Sequence, residues 1–506
     1  MVLGGLLMMA LCGGLLAATV LGPGWLNNYV EANLRARRVV TSNSSQGYND
    51  FQSNMKSGVP YYLNLYVYNV TNPDDIKLGK KPILNQLGPY VYDWKWYKFD
   101  INWSSDKDLV SFFQKESFYF RRDLTNPNLD PYKDQCVFPS IPYAAVRSKL
   151  GLDDQWWKAL GLDILSSYAA KKALPEDQVD PFIGSTVDAY VWGFDSQLLG
   201  WLNSTFASYL DGPLKTRVSI QQNDTSEEEV RQSHVYPDVM HTGNDDLKKL
   251  SQFHEWQGKH LLEFGGEPLW GSEEANTVQG TDAYAFTTHL NKANDNQTVF
   301  VREIFRHVNF ICNETQSLKG IDTNVYFLDA RDYTNSTPNN YYLFAPDGVS
   351  NLSKPNTYTQ GSPVEVLLSQ PHFFQADPVY SNSIEILPPN SQTNMTSHNT
   401  FIWVEPITGI TMQAFKRLQV NLKVKGSLIL NPNLPLTYIP IVYFEETGTV
   451  SDSLASEWKN SLGVAMTILQ LIAPIGYTLA GLLFLLASIC FIRAYTLPPP
   501  DYDAIN

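Results

Sequence analysis

LGVAMTILQLIAPIGYTLAGLLFLLASICFI, Leu462 to Ile492, carries no charge over its whole length. A bilayer core is about 30 Å thick and asks for about 20 apolar residues of helix. An uncharged run longer than that reads as a transmembrane helix, because a helix satisfies its own backbone polar groups where water cannot. Pro474 interrupts the run. From Ile475 to Ile492 a helix rises about 27 Å at ~1.5 Å per residue, so the part after the proline nearly spans alone and the part before it leads in at the interface. Working outward, a tail (493–506) follows, and almost all of the chain lies before the span.

The other end is also apolar. Val2 to Gly22, VLGGLLMMALCGGLLAATVLG, has no charge, and Pro23 and Trp25 close it as an interfacial boundary would. It lacks the basic start of a secretory signal and is long for an apolar signal core, so it reads as a retained helix rather than a cleaved leader. Residues 1–22 are thus an N-terminal transmembrane helix, 23–461 a large domain, 462–492 the C-terminal helix and 493–506 a cytosolic tail. Arg35, Arg37 and Arg38 after the first span do not agree with a simple positive-inside reading. The N-x-S/T sequons do give an orientation. They lie at Asn43, Asn69, Asn102, Asn203, Asn223, Asn296, Asn313, Asn335, Asn351 and Asn394, all between the spans and none in the tail. That placement expects a glycosylated luminal or extracellular domain.

The 506 residues include 12 Trp, 28 Tyr and 25 Phe, enough for a large core. A net charge of −14 argues against nucleic acid as a partner. Cys12 and Cys490 fall in the spans. Cys136 and Cys312 fall in the domain and are a candidate disulfide in an oxidising compartment. Asn27 to Thr41 reads as a short helix. Alternation at Leu63, Leu65 and Val67 marks a strand, Val91–Phe99 and Leu109–Arg121 continue the pattern, and turns at Asn72–Asp75 and Gly88–Pro89 separate them. Between 143 and 210 the character changes to helix: Trp157, Leu160, Ile164 and Tyr168 recur at helical spacing until Pro175, and Leu198–Leu210 adds another helix. From Thr281 strands dominate again, at Val299–Ile304, Val325–Leu328, Tyr341–Phe344, Val364–Leu368, Thr400–Val404, Ile410–Val424 and Tyr438–Phe444. The expected fold is one large antiparallel β domain with a helical subregion, tied to the membrane at both ends.

Several segments carry a resemblance. They are NVTNPDDIKLGKKPILNQLGPYVY (Asn69–Tyr92), VWGFDS (Val191–Ser196), QGTDAYAF (Gln279–Phe286), SLKGIDTNVYFL (Ser317–Leu328), QPHFFQADP (Gln370–Pro378), VEPITGITMQAFKRLQVNLKV (Val404–Val424) and YIPIVYFEETGTVSD (Tyr438–Asp452). In this order they resemble the class B scavenger receptor family, which includes fatty-acid and lipoprotein receptors, lysosomal integral membrane proteins and insect sensory-neuron membrane proteins. The resemblance implies an antiparallel β-barrel-like ectodomain, a helical cap at about 143–210 and an apolar tunnel toward the bilayer. It implies binding of lipids, fatty acids, sterols, lipoprotein particles or a luminal protein at the cap, and passage of lipid to the membrane. Lys171 and Lys172 stand near the position of the family's cap lysines, and Lys158, Trp156 and Trp157 are further candidate contacts. The disulfide-rich segment of vertebrate members is missing, and no histidine lies between 140 and 200 to serve as a cap pH switch.

No enzymatic constellation stands out, so a hydrolase has nothing to support it, and no cofactor or metal is expected. His254-Glu255 and His260 are six residues apart rather than the four of a zinc helix, a spacing expected to point the rings apart. His372 reads as a hydrogen-bonded structural histidine. Lys416 and Arg417 alternate faces on a strand and are expected to pair with carboxylates. In the tail, Tyr502 to Ile505 fits the Y-x-x-Φ signal that clathrin adaptors read, and Pro499, Pro500 and Tyr502 fit a P-P-x-Y ligand for a WW domain. The leading function is a non-enzymatic lipid-binding receptor of the lysosome, late endosome or plasma membrane. The alternative is a lysosomal sorting receptor or structural glycoprotein carrying a protein partner.

Overall fold

The computed structural model describes residues 2–149, 168–206, 212–291, 296–334, 347–355, 364–426 and 431–496. The chain forms two units: one of residues 1–39, 45–47 and 451–506, the other of 40–44 and 48–450.

In the first unit, helix α1 (Val2–Arg38) meets a second long helix at the other end of the chain. That helix starts at Asp452–Trp458, passes a π-turn at Lys459–Gly463 and continues as Val464–Thr496. The two run antiparallel. Gly5 lies against Phe491, Gly22 against Ile472 and Gly476 against Thr19, while Cys12 Sγ donates to Ala480 O at 3.2 Å. Arg37 closes the far end on Glu457 at 3.3 Å. Small residues at Gly5, Cys12 and Thr19, one heptad apart, and at Ala480 and Ala487 let the backbones approach, as apolar helix pairs in lipid require. A Cβ at Gly476 would sit 2.0 Å from Thr19 Oγ1, so a larger residue there pushes the helices apart. The outward faces present Leu3, Leu6, Leu7, Leu482 and Leu485.

Two boundaries differ from the sequence expectation. The first helix does not end at Gly22: Pro23 is inside it, and the segment read as a separate helix from Asn27 is its continuation. Pro474 likewise neither starts nor breaks the second helix. A proline costs one backbone hydrogen bond, and helices of this kind tolerate that when a neighbouring helix and hydroxyl side chains re-satisfy the freed groups.

The second unit is built on a 14-stranded sheet. Its strands are β1 (Tyr61–Val70), β2 (Ile83–Trp103), β3 (Leu109–Phe120), β4 (Asp238–His241) and β5 (Phe253–Glu255). Next come β6 (Gln297–Val301), β7 (Arg306–Leu318), β8 (Ile321–Leu328), β9 (Ser350–Asn351) and β10 (Val366–Ser369). The last are β11 (Glu385–Ile386), β12 (Phe401–Val404), β13 (Thr411–Val424) and β14 (Thr437–Thr449). The main path runs β6-β7-β8-β12-β13-β14-β1-β2-β3-β4-β5, with β10 added on β13 and β11 on β2. Its ladders are antiparallel apart from the short β11–β2 pair.

The QGTDAYAF segment laces the two ends of that path together. Phe253 N donates to Gly280 O at 2.8 Å, and Thr281 N and Phe300 N bond to Thr298 O and Thr281 O at 3.0 and 2.9 Å. Gly280 has φ +94°, and a Cβ there would meet Thr298 O at 2.5 Å, so the close approach asks for glycine. Gly280 and Thr281 thus bridge β5 and β6, and the sheet is nearly closed.

Helices α2 (Ile141–Lys149), α3 (Val187–Trp192) and α4 (Gln197–Thr205) form the helical region with residues 168–173 and the hairpin Gln135–Pro139/Phe182–Thr186. Thr186 and Ser196 cap α3 and α4 by accepting from Ala189 N and Leu199 N. Phe138 stacks on Tyr190 with ring centroids 4.0 Å apart, and both belong to the same buried cluster as Leu65, Leu367 and Ile439 of the sheet. The helical region and the sheet share one core. The expected strand at Tyr341–Phe344 lies outside the described residues.

Candidate functional site

Strand alternation builds a cavity inside the sheet. On β13, Met412, Ala414, Lys416 and Leu418 face inward with Val308 and Phe310 of β7, Leu328 of β8 and Ile402 of β12. The segment Asp282–Tyr284, fixed by Thr411 Oγ1 on Ala283 O at 2.7 Å, forms another wall. The cavity between them has a volume of about 140 Å³. Most of the lining is apolar.

The polar part is an ionic knot. In the β13–β14 ladder Lys416 stands opposite Glu446 and Arg417 opposite Glu445, so the two pairs fall on opposite faces. On the cavity face Lys416 Nζ lies 2.7 Å from Glu303 and 3.1 Å from Glu446. Burial works against the Lys416 ammonium, but the two glutamates outweigh it and hold it charged. Burial also pushes both glutamates up. For Glu303 the Lys416 charge outweighs burial and brings it below the usual carboxylate range, whereas for Glu446 burial prevails. Lys98 and Asp282 stand 3.9 Å apart, and burial lowers the Lys98 ammonium to about 8. On the other face Arg417 Nε reaches Glu445 at 2.6 Å and its Nη1 donates to Thr396 O and Asn399 O at 2.9 and 2.5 Å. The carboxylate pairing expected for Lys416 and Arg417 is therefore present.

Behind β13 lies a second polar layer. Gln419 accepts from Tyr68 OH at 2.8 Å and from His372 N at 2.7 Å, and donates to Asn421 at 2.7 Å. His372 Nε2 donates to Gln86 Oε1 at 2.6 Å, and its ring lies 4.5 Å from that of His398. Burial first, then His398, pushes His372 down to about 3, so it is a neutral structural histidine, as its motif led one to expect.

The remaining sequence candidates separate. Lys171 and Lys172 are exposed, with Lys172 Nζ 4.6 Å from the Tyr168 ring centroid. Lys158, Trp156 and Trp157, and in the tail Pro499, Pro500, Tyr502 and Ile505, lie outside the described residues, as does Asn335. Asn43, Asn102, Asn223, Asn296, Asn313 and Asn394 are exposed. Asn69, Asn203 and Asn351 are half-buried, and Asn203 bonds Leu214 through both amide atoms.

Two expectations need correction. Cys136 and Cys312 form no disulfide: Cys136 is buried in the Gln135–Pro139 hairpin and Cys312 sits on β7, opposite Tyr326, in a different sheet. His254 and His260 do not point apart. A tight turn, Gln257 and Gly258 both at positive φ, folds His260 back so that its ring lies 5.8 Å from that of His254, with His241 5.3 Å beyond. Among the described residues no His, Cys, Asp or Glu group is arranged to hold a metal ion. Sequence reading missed Glu116, Asp282, Tyr284, Arg302 and Glu303 of the cavity. The one available signal was QGTDAYAF, which contains two of them.

A nearly closed antiparallel sheet around an interior cavity, with a long apolar helix at each end of the chain, defines a membrane-anchored β protein. The chain belongs to the CD36 family, whose profile it matches over residues 6–492. It is 25% identical to scavenger receptor class B member 1 of Mus musculus over 441 residues, 86% of this chain and 80% of that one. It is also 25% identical to lysosome membrane protein 2 of Homo sapiens over 443 residues, 85% of this chain and 83% of that one. It is a scavenger-receptor-like integral membrane protein of the lysosome or the plasma membrane.

Proposed function

We propose that this protein is a non-enzymatic, glycosylated receptor that binds lipids, lipoproteins or protein ligands at its helical cap and passes lipid through the sheet interior toward the bilayer. The observation that carries the reading is the mostly apolar cavity inside a sheet whose chain ends in two long apolar helices. An acyl chain or sterol gains about 0.8 kcal/mol per buried CH₂, so such an interior offers a dry route past water. The exposed Lys171 and Lys172 suit a first contact with an anionic particle or head group. In this reading both helices span the membrane and residues 23–461 lie on the glycosylated side.

Ala414 lies on the cavity wall between Ile402 of β12 and Gly448 of β14. Ala414→Trp is expected to abolish lipid transfer between vesicles by the reconstituted protein while its melting curve stays cooperative. A folded A414W that transfers at the wild-type rate would remove the conduit.

The tail supplies an address in this reading, through an adaptor at Tyr502 and Ile505, with a WW-domain protein competing for Pro499, Pro500 and Tyr502. Tyr502→Ala is expected to move the protein from lysosomes to the cell surface, scored by surface biotinylation. An unchanged surface fraction would discard the signal. A relative named lysosome membrane protein 2 favours a second reading, a sorting receptor for a luminal partner. That reading expects a co-purified luminal protein unaffected by A414W.

A further inference from the structure

Glu116 gathers the unused polar atoms of the cavity. Its Oε1 accepts from Gln114 Nε2 at 2.7 Å and faces Arg302 Nη1 at 3.7 Å, and its Oε2 accepts from Trp94 Nε1 at 3.1 Å. Trp94 in turn packs on Tyr284, ring centroids 6.0 Å apart. Around this hub two buried atoms have no hydrogen-bond partner, Gln114 Oε1 and Tyr284 OH, while Arg302 Nη2 has Asp238 Oδ2 3.5 Å away. Gln114 is only 7% exposed, and all three residues line the cavity. Buried polar atoms left unpaired are rare and costly, and call for a partner.

The chemistry of that partner follows from the donors and charges. Gln114 Oε1 can only accept, Arg302 Nη2 can only donate, and Tyr284 OH, held neutral by burial, can do either. A hydroxyl group both donates and accepts, so it complements Gln114 Oε1 and Tyr284 OH. A carboxylate only accepts, and would leave Gln114 Oε1 unpaired. Charge points the same way. The Arg302 guanidinium already stands between Glu116 and Asp238, 3.7 and 3.5 Å away, and Lys416 lies between Glu303 and Glu446. Asp282 adds a further carboxylate to the lining, with Lys98 Nζ 3.9 Å away as its counter-charge.

Resting on the lipid reading above, we propose that the cavity contains a head-group subsite, centred on Glu116, that accepts an uncharged hydroxyl-bearing lipid and rejects a lipid carboxylate. The apolar wall takes the hydrocarbon body, and Gln114 and Tyr284 take the hydroxyl. Like charges brought together in a desolvated site impose specificity by repulsion as well as by fit.

The test uses full-length protein in detergent at pH 7.5, with radiolabelled hexadecanol, hexadecanoate and cholesterol as probes. Hexadecanol and hexadecanoate share a chain and differ in the head group. Hexadecanol is expected to bind about tenfold tighter or more than hexadecanoate, with cholesterol also bound. Glu116→Gln keeps the acceptor and removes the charge, and is expected to narrow the ratio by strengthening hexadecanoate. Tyr284→Phe removes a hydroxyl that has no partner in the fold, so its melting temperature should hold while hexadecanol weakens several-fold. Equal binding of the two chains, or no change in the ratio in either folded variant, overturns the subsite but leaves the lipid reading standing. Failure of the wild-type protein to bind any of the three overturns both.

Discussion

Arg417→Met is expected to destabilise the β unit by about 3–5 kcal/mol, the cost of removing one partner of a buried ion pair. Arg417 is 8% exposed and its partner Glu445 13%, so loss of the guanidinium strands a carboxylate out of water. Asn64 Nδ2 still reaches Glu445 at 3.0 Å, which is a hydrogen bond and not a counter-charge. The carbonyls of Thr396 and Asn399 also lose their donor, so the segment leading into β12 keeps only the Arg417 N–H bond to Thr400 Oγ1 from this residue. The double variant Arg417→Met/Glu445→Gln should recover much of the loss, because no unpaired charge remains. Thermal melts of the single and double variants check this. A single-variant loss below about 1 kcal/mol, the range of an exposed ion pair, would show that solvent reaches the bridge.

Acid should weaken the fold through its buried histidines. His372 is pushed down to about 3 and His307 to about 4, in both cases by burial first, and His398 is lowered too. The unfolded chain protonates these rings near 6.5, while the folded chain holds them neutral. Their contribution is therefore complete above pH 6.5 and is lost as pH falls from there toward 3–4. At pH 5 each of His372 and His307 should have surrendered about 2 kcal/mol relative to neutral pH. Asp224, raised to about 6 by burial, acts in the opposite sense, since protonation relieves it. A difference between two proteins isolates the histidine. Wild type and His372→Asn melted at pH 7.5 and 5.0 should converge as pH falls, with the variant showing the shallower slope. Parallel curves would mean that His372 is already protonated, or already solvated, in the folded state.

Much of this architecture is written locally. The alternation at Leu63, Leu65 and Val67 and the neighbouring charges Lys416-Arg417 each have a period that one strand can express, and the structure places them on alternate faces as expected, with Glu446 and Glu445 as the partners that only the fold supplies. What was not legible depends on chain return. The sheet seam through Gly280 and Thr281 joins strands of which nothing in a periodic pattern says that they are the two edges. Likewise Glu116, Asp282, Glu303 and Glu446 come from four separate stretches, and each alone reads as a surface carboxylate. His254 and His260 were misjudged because a six-residue spacing was weighed on a helix, whereas a hairpin turn governs them. Pro23 and Pro474 were read as boundaries because proline ends helices in water; a packed apolar neighbour changes that preference.

The helix pair also sets a timetable for biogenesis. Cys12 and Ala480 touch, yet the whole β unit is encoded between them. At about 5–20 residues per second, helix α1 waits on the order of 20–90 s for its mate to leave the ribosome. During that interval Gly5, Cys12 and Thr19 face lipid or a chaperone instead of Phe491, Ala480 and Gly476. The sheet has time to form first, and the seam between the helices is the last joint of the molecule to close. Substitutions along it should accordingly damage yield and quality control more than they damage a molecule already assembled.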